Sequence, residues 1–361
     1  MNLFPVTKTT NTRINNVNWD NLGFGVYFSD HMFMSDYVDG KWDDGAIVPY
    51  GAMQIEPALC TLHYGQTIFE GLKAFRSVRG GVNIFRPHKN AARLNYSADR
   101  LCIPRYDTAT LIDAMKELVK IDSKWVPSKR TQSLYFRPFV FGSGNFLGVQ
   151  VSSSYRLIIM TSPVASYYPD GMAPVKILVS SEYARAVRGG LGAAKTAANY
   201  ASSLLGGKKA KEMGFAQVLW LDAVSRAFID EVGAMNIVFV IDGELITPPL
   251  DNGTILNGVT RDTVITLAKD WGMKVSERLI TVEEVFEAHN DGKLNEVFGT
   301  GTAAVISPVG LLSYRGNNIT INDNQIGPIA QRLYDTITGI QHSEIEDIYG
   351  WNVHVDLFEE S

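Results

Sequence analysis

Short runs of branched and aromatic residues recur along the chain, separated by segments whose apolar positions have helical spacing. The run Gly25 to Met34, GVYFSDHMFM, predicts a strand, and Tyr37 to Pro49 carries turn signals at Asp39-Gly40 and Asp44-Gly45. LHYGQTIFEGLKAFRS predicts a short helix running into a strand, after which Arg79-Gly80-Gly81 turns the chain into VNIFR. Pro87 suits the first turn of a helix through Arg100. A second amphipathic helix, Thr110 to Ser123, is stopped near Pro127. LYFRPFVFG and YRLIIMTSPVA predict strands on either side of a loop from Gly142 to Ser154. Residues 1 to about 20 are polar and Asn-rich, the pattern of a loosely held arm.

The stretch 168–174, YPDGMAP, holds two prolines and a glycine and predicts a linker. Beyond it, VKILVSS predicts a strand, Tyr200 to Met213 a helix and VLWLD a buried strand. IVFVIDGELITPP predicts a hairpin turning at Asp-Gly, and LNGVTRDTVITLAKDWG a helix stopped by Gly272. Thr281 to His289 opens with a capping box, Thr281 with Glu284. NEVFGTGTAAVISPVGLLSY predicts strand, Gly-rich turn and strand, and Gln331 to Gln341 a last helix. This order is not a regular βαβ alternation. It predicts an α/β chain of the α+β kind, with mixed sheets in two domains, 1–167 and 175–361.

Composition agrees with that division and narrows the function. At 361 residues the chain is long for a single core. Apolar residues at 45% and charged residues at 20% are an ordinary globular balance. A net charge of −5, with no basic run, argues against a nucleic-acid partner. No apolar run is long enough for a bilayer, and the N-terminus lacks both a signal core and an Arg-rich transit helix. A cytoplasmic location away from membranes is therefore expected. Cys60 and Cys102 are too few for a disulfide framework and are not spaced as metal ligands. Reduced, buried thiols and no metal site are expected.

The chemistry gathers at Arg185 to Tyr200, RAVRGGLGAAKTAANY. Lys195 ends a loop rich in glycine and alanine, and Tyr200 follows five residues later. Small residues let a flat ligand approach the backbone, and a desolvated lysine amine can act as a nucleophile. Beside a purely structural lysine, two readings stand. GGLGAAKT is one residue short of a phosphate-cradling P-loop, with Ala194 where the second glycine would be. VLWLD, ending at Asp222, mimics the magnesium-binding strand of such proteins, but the charged stretch Glu182 to Arg188 separates loop from preceding strand. The other reading is a lysine that holds a carbonyl cofactor such as pyridoxal 5'-phosphate as a Schiff base. That cofactor needs an acid at its ring nitrogen, a phenol near its ring hydroxyl, and donors for its phosphate. Glu231 in FIDEVGAMN and Tyr200 can supply the first two. Candidate phosphate donors are the N–H groups of Val259 and Thr260 after Gly258, Thr300 and Thr302 of FGTGTAA, and Arg93.

AAKTAANY, EVGAMN, LNGVTR, FGTGTAA and the upstream HYGQTIFEGLKAFR resemble the branched-chain amino acid aminotransferases, fold-type IV enzymes of pyridoxal phosphate. The likeness runs in the same motif order from about Phe24 to Leu312. It implies a smaller N-terminal domain, a larger C-terminal domain and a homodimer. The implied activity is transamination of L-leucine, L-isoleucine and L-valine with 2-oxoglutarate. By the same resemblance Lys195 is the Schiff-base lysine and proton shuttle, Glu231 pairs with the pyridine nitrogen, and Tyr200 bonds the ring hydroxyl. Arg93, Val259, Thr260 and Thr302 would hold the phosphate, with Gly258 and Thr300 beside them. Leu256 would pack on the ring face and Arg185 would lie near the cofactor. The implied substrate pocket comprises Phe24, Tyr64, Phe69, Tyr135, Arg137 and Tyr167, with the amides of Thr302 and Ala303 receiving the α-carboxylate. Leu147 and Val149 of NFLGV would reach into the partner's site, and Arg137 with the Tyr64 hydroxyl would meet glutamate's second carboxylate. Two departures are visible. Ala304 and Ser307 stand where some relatives have a C-x-x-C redox pair, so thiol regulation of that kind is not expected, and Ala234 replaces a hydroxyl residue. A D-amino acid aminotransferase or an aminodeoxychorismate lyase would share the fold, and the P-loop reading stays open beside them.

Overall fold

The computed structural model describes residues 3–165 and 172–357, and these fall into two units. The first unit combines the N-terminal part of the chain with Lys195–Ala197 and the segment from Thr338 onward; the second takes the remainder.

The first unit is built on β1 (His31–Val38), β2 (Lys41–Trp42), β3 (Ala46–Pro49), α1 (Cys60–Tyr64), β4 (Thr67–Phe69), β5 (Leu72–Arg76), β6 (Val82–Phe85), α2 (Pro87–Arg100), α3 (Thr108–Ile121), β7 (Ser133–Gly142) and β8 (Tyr155–Val164). Its sheet is antiparallel throughout, in the order β6-β5-β7-β8-β1-β2, with β3 on β1, β4 on β7, and the C-terminal strand Asn352–Val355 on β6. One sheet face buries Ile84, Leu134 and Phe136 against Leu94 and Ala98 of α2 and Leu111, Met115 and Leu118 of α3. Those helical positions recur every three or four residues, which is why α2 and α3 lie on the sheet. Asp107 caps α3 by accepting from the Thr110 amide at 2.8 Å.

The second unit comprises β9 (Val175–Val179), α4 (Ala197–Glu212, entered from the lysine segment), β10 (Gln217–Leu221), β11 (Ile229–Val232), β12 (Met235–Ile241), β13 (Glu244–Thr247), α5 (Val259–Asp270), β14 (Val275–Glu277), α6 (Val282–Asn290), β15 (Leu294–Gly301), β16 (Val305–Tyr314), β17 (Asn317–Thr320) and the start of α7 (Pro328–Gln341). Pairing of β11 with β12 closes a ring in the order β11-β10-β9-β16-β15-β12. The ring is mixed: β9 runs parallel to β10 and to β16, and its other pairs are antiparallel. Ile177, Leu219, Ile237, Phe239, Val297 and Leu312 lie in its core. The Asp242-Gly243 hairpin turns with positive φ at both residues, 50° and 76°, as its sequence predicts. The Thr281 hydroxyl caps α6 by accepting from the Glu284 amide at 3.0 Å.

Several expectations are corrected. The N-terminal arm is not loose: Thr7 and Ile47 are joined by a backbone hydrogen bond of 2.9 Å, the Thr12 hydroxyl donates to Asp30, and Leu22 is fully buried. The strand expected from Gly25 starts only at His31, because Gly23 and Gly25 turn the chain with φ of 62° and 70°. The C-terminal end joins the first unit through the strand on β6 and through Asn83, whose side chain donates to the Gln341 carbonyl at 3.0 Å. That makes the unit holding the N-terminal segment the larger one. Cys60 is buried as expected, whereas Cys102 is exposed. Among the described residues no helix is long and apolar enough to cross a membrane, and no cluster of His, Cys, Asp or Glu could hold a metal ion.

Candidate active site

Lys195 is mounted on the edge of the first unit's sheet. Its carbonyl accepts from the Phe69 amide at 3.0 Å and its own amide donates to the Ser97 hydroxyl of α2 at 2.9 Å. Next to it, Thr196 pairs with Ile68 as an antiparallel bridge, and its hydroxyl donates to the Thr67 carbonyl at 2.7 Å. The lysine backbone is thus paired alongside β4 through a single antiparallel bridge, and backbone pairing of this kind fixes where the side chain starts. These bonds, with others in the same loop, remove the P-loop reading. The Ala193 amide donates to the Gly253 carbonyl and the Ala194 amide to the Leu191 carbonyl, so the loop's donors are committed to protein rather than to a phosphate.

Around the lysine the first unit places an aromatic cluster. Lys195 Nζ lies 4.9 Å from the centre of the Phe69 ring, and the Arg137 guanidinium carbon lies 4.8 Å from the same ring. Arg137 Nη2 donates to the Tyr135 hydroxyl at 3.0 Å, and Phe24 meets the Tyr135 ring edge-on at 5.1 Å. Position 71 has to be glycine here, since a Cβ would lie 2.0 Å from the Tyr135 hydroxyl. Phe24, Phe69, Tyr135 and Arg137 therefore lie together. Arg137 Nε is buried with no hydrogen-bond partner, a donor left over after its protein contacts.

Tyr64 is placed differently. Its hydroxyl donates to the Leu147 carbonyl instead of joining Arg137, whose phenol partner is Tyr135. Tyr64 thereby belongs with the loop of Leu147 and Val149, which stand 69% and 86% exposed. Tyr167 lies outside the described residues. Arg93, expected at a phosphate, forms a two-pronged ion pair with Glu70, at 2.7 and 2.8 Å. Glu70 is 1% exposed and was not singled out in the sequence, although it stands inside the EGLKAFR motif. Neighbouring Lys73 is also buried, and burial pushes its amine down to about 8. Ser97 ties this side together, accepting from the Lys195 amide while donating to the Arg93 carbonyl at 3.0 Å.

In the second unit Glu231 is a buried strand residue, not a solvated turn. One of its oxygens accepts from the Leu256 amide at 2.8 Å, and the other lies 3.0 Å from Arg185 Nε. That last contact is an ion pair by distance, though its N–H geometry falls short of a hydrogen bond. A buried guanidinium thus lies against a buried carboxylate. Strand register sets Glu231 opposite Asn236 and Asn236 opposite Thr300, one row across β11, β12 and β15. The Asn236 side chain donates to the Leu256 carbonyl at 2.9 Å and fills the space beside Gly258, where a Cβ would lie 1.9 Å from its oxygen. Asn236 thus joins the acid, the Leu256 segment and the start of α5. It lies in EVGAMN, yet only the structure reveals that function. Val259 and Thr260 open α5, and its N-cap, Gly258, offers no side chain to the helix terminus. Thr302 and Ala303 stand in the turn from β15 to β16, and Tyr200 lies early in α4.

The amino-transferase class IV family matches residues 67–312. The chain belongs to that family. Bacillus subtilis branched-chain-amino-acid aminotransferase 2 is 53% identical over 94% of each chain. The branched-chain-amino-acid aminotransferase of Mycolicibacterium smegmatis is 44% identical over 96% of this chain and 97% of its own. Among solved structures, the branched-chain amino acid aminotransferase of Escherichia coli matches this class IV aminotransferase with a TM-score of 0.73 and 28% identity, over 90% of this chain and 98% of its own. A further branched-chain amino acid aminotransferase, solved with pyridoxamine 5'-phosphate, gives a TM-score of 0.75 at 27% identity, again over 90% and 98%. The α/β architecture, with one antiparallel and one mixed sheet where two mixed sheets were expected, is accordingly that of fold-type IV.

Proposed function

We propose that this class IV aminotransferase exchanges the amino group of L-leucine, L-isoleucine or L-valine with 2-oxoglutarate. The residues present fit the family's cofactor, pyridoxal 5'-phosphate. The Thr300 hydroxyl is buried without a protein partner, and α5 starts without a side-chain cap, which together suit a phosphate. When bound, the cofactor supplies the carbonyl that takes the amine and a ring that accepts negative charge from the substrate α-carbon. Lys195 Nζ would hold the cofactor at rest and then carry the proton away from that α-carbon. Glu231, paired with Arg185, would hold the proton at the ring nitrogen. Tyr200 would meet the ring hydroxyl, and Leu256 would cover the ring. Val259, Thr260, Thr300 and Thr302 would bind the phosphate, with Gly258 giving α5 its close approach. Arg93, held by Glu70, would lie beside the phosphate, and the Thr302 and Ala303 amides would receive the α-carboxylate.

The observation that carries the substrate assignment is Arg137 among Phe24, Phe69 and Tyr135. Aromatic walls suit a branched apolar side chain, and one guanidinium with a spare donor suits the second carboxylate of glutamate. A homodimer belongs to the same proposal: Leu147, Val149 and Tyr64 would complete the partner's pocket, in a cytoplasmic enzyme. The test is direct. The purified protein should convert leucine and 2-oxoglutarate to glutamate, and sedimentation should give twice the chain mass. Activity with D-leucine, or release of pyruvate from an aminodeoxychorismate substrate in place of amino transfer, would overturn it.

A further inference from the structure

Asp230, next to Glu231 in β11, is a second buried carboxylate, 4% exposed, that none of the roles above uses. Consecutive strand residues point to opposite faces, so it cannot share a ligand atom with Glu231. It reaches the same segment nonetheless. One of its oxygens accepts from the Thr254 hydroxyl at 3.2 Å, and the other is buried without a hydrogen-bond partner. The Thr254 carbonyl in turn accepts from Arg185 Nη2, as does the Gly192 carbonyl at 3.2 Å. A Cβ on Gly192 would lie 2.3 Å from the Thr254 carbonyl oxygen, so the loop that leads to Lys195 lies flush on this residue. Two positions on, the Leu256 amide holds Glu231.

We propose that Thr254 and Asp230 form a positioning couple that fixes the Arg185 guanidinium on Glu231 and so sets the acid for the cofactor's ring nitrogen. Thr254 uses both of its polar groups: the carbonyl orients the cation, and the hydroxyl anchors the carbonyl's own residue to β11. Asp230 is negative when ionised, so it also draws the guanidinium toward this strand. The charged groups that act on it are Arg185, Glu231 and Asp222, with the two acids opposing its ionisation and the arginine favouring it. Without the anchor, the Gly253–Leu256 segment loses its hold on β11 at Thr254. Arg185 and the Leu256 amide, which contact the two oxygens of Glu231, then move with it.

The inference rests on the transaminase reading, and the experiment separates the two. Pyridoxal 5'-phosphate affinity and the pH titration of the bound cofactor's absorbance are measured for the wild type, Thr254→Val, Thr254→Ser and Asp230→Asn. A lost hydrogen bond to a charged group predicts a cofactor Kd about tenfold weaker for Thr254→Val, with Thr254→Ser within about twofold of the wild type. Asp230→Asn should weaken affinity in the same direction, and the cofactor's absorbance titration should shift in both weakened variants. Thr254→Val and Thr254→Ser behaving alike, or a wild-type Kd and absorbance profile in Thr254→Val, would overturn the couple while leaving the transaminase reading intact. A wild-type protein that takes up no cofactor would overturn both.

Discussion

Replacing Arg137 by methionine keeps an unbranched side chain over Phe69 while removing the guanidinium. In the structure that guanidinium donates to Tyr135 at 3.0 Å and keeps a buried Nε without a partner. A substrate carboxylate meeting these donors would gain charge-assisted hydrogen bonds, and a branched apolar side chain would gain none. Loss of such a bond removes about 1.5–3 kcal/mol of binding, or about a 10- to 150-fold effect. Arg137→Met should therefore lower kcat/KM for the glutamate half-reaction by that factor while changing the leucine half-reaction by less than about threefold. Each half-reaction can be followed alone, by mixing enzyme with one amino acid and recording the cofactor absorbance. Equal losses for leucine and glutamate would refute the assignment, because they would make Arg137 a residue that shapes the pocket for every substrate. Tyr135→Phe is the companion variant: it removes the phenol that orients Nη2 and should give the same selectivity in weaker form.

Other expectations follow from single contacts. Glu70→Gln removes the fully buried carboxylate that pairs with the largely buried Arg93 side chain, so unfolding in urea should show a loss of up to about 3–5 kcal/mol. Gly258→Ala drives a Cβ into the buried Asn236 side chain and should weaken cofactor binding several-fold while costing about 1–3 kcal/mol of stability, as measured by cofactor titration and thermal melting. Burial raises the Asp230 carboxyl from 3.8 to about 6. Its folded value exceeds its unfolded one, so its favourable contribution is fully present below about pH 4 and is lost as pH rises through 6. The loss is about 3 kcal/mol at most, from a shift between 3.8 and about 6. Asp230→Asn should flatten the stability profile between pH 4 and 7, and a profile identical to the wild type in urea titrations at both pH values would contradict this.

The groups proposed to carry chemistry were legible because each is a residue type with few alternative uses, set in a short motif. A lone lysine among alanines and an acid before Val-Gly-Ala can be read without knowing which strands pair. Their supports could not be read that way. Ser97 stands 98 positions from Lys195 along the chain, and Tyr64 stands 83 from the Leu147 carbonyl. A serine or tyrosine in isolation has many partners that would satisfy it. Short strands were equally obscure, since β4 has three residues and cannot display an alternation. Glycine turns misled in the opposite sense, because the aromatic run after Gly25 has strand composition but spends its first residues in a bend.

The lysine loop shows where local patterns stop being informative. GGLGAAKT satisfies the spacing of a phosphate cradle almost completely, yet a cradle depends on where backbone N–H groups point, and spacing does not encode that. Here one amide goes to Gly253, one to Leu191 and that of Lys195 to Ser97. The same three bonds that withhold the loop from a phosphate anchor the backbone leading into the lysine, and Phe69 and Thr67 hold it beyond, which is what an amine nucleophile requires. Asp230 extends the reasoning to energetics. Its buried carboxylate has one unpaired oxygen and is raised to about 6, so at neutral pH it weakens the fold around it. A charge kept at such a position is better explained by its hold on Thr254, and through it on Arg185, than by any contribution to folding.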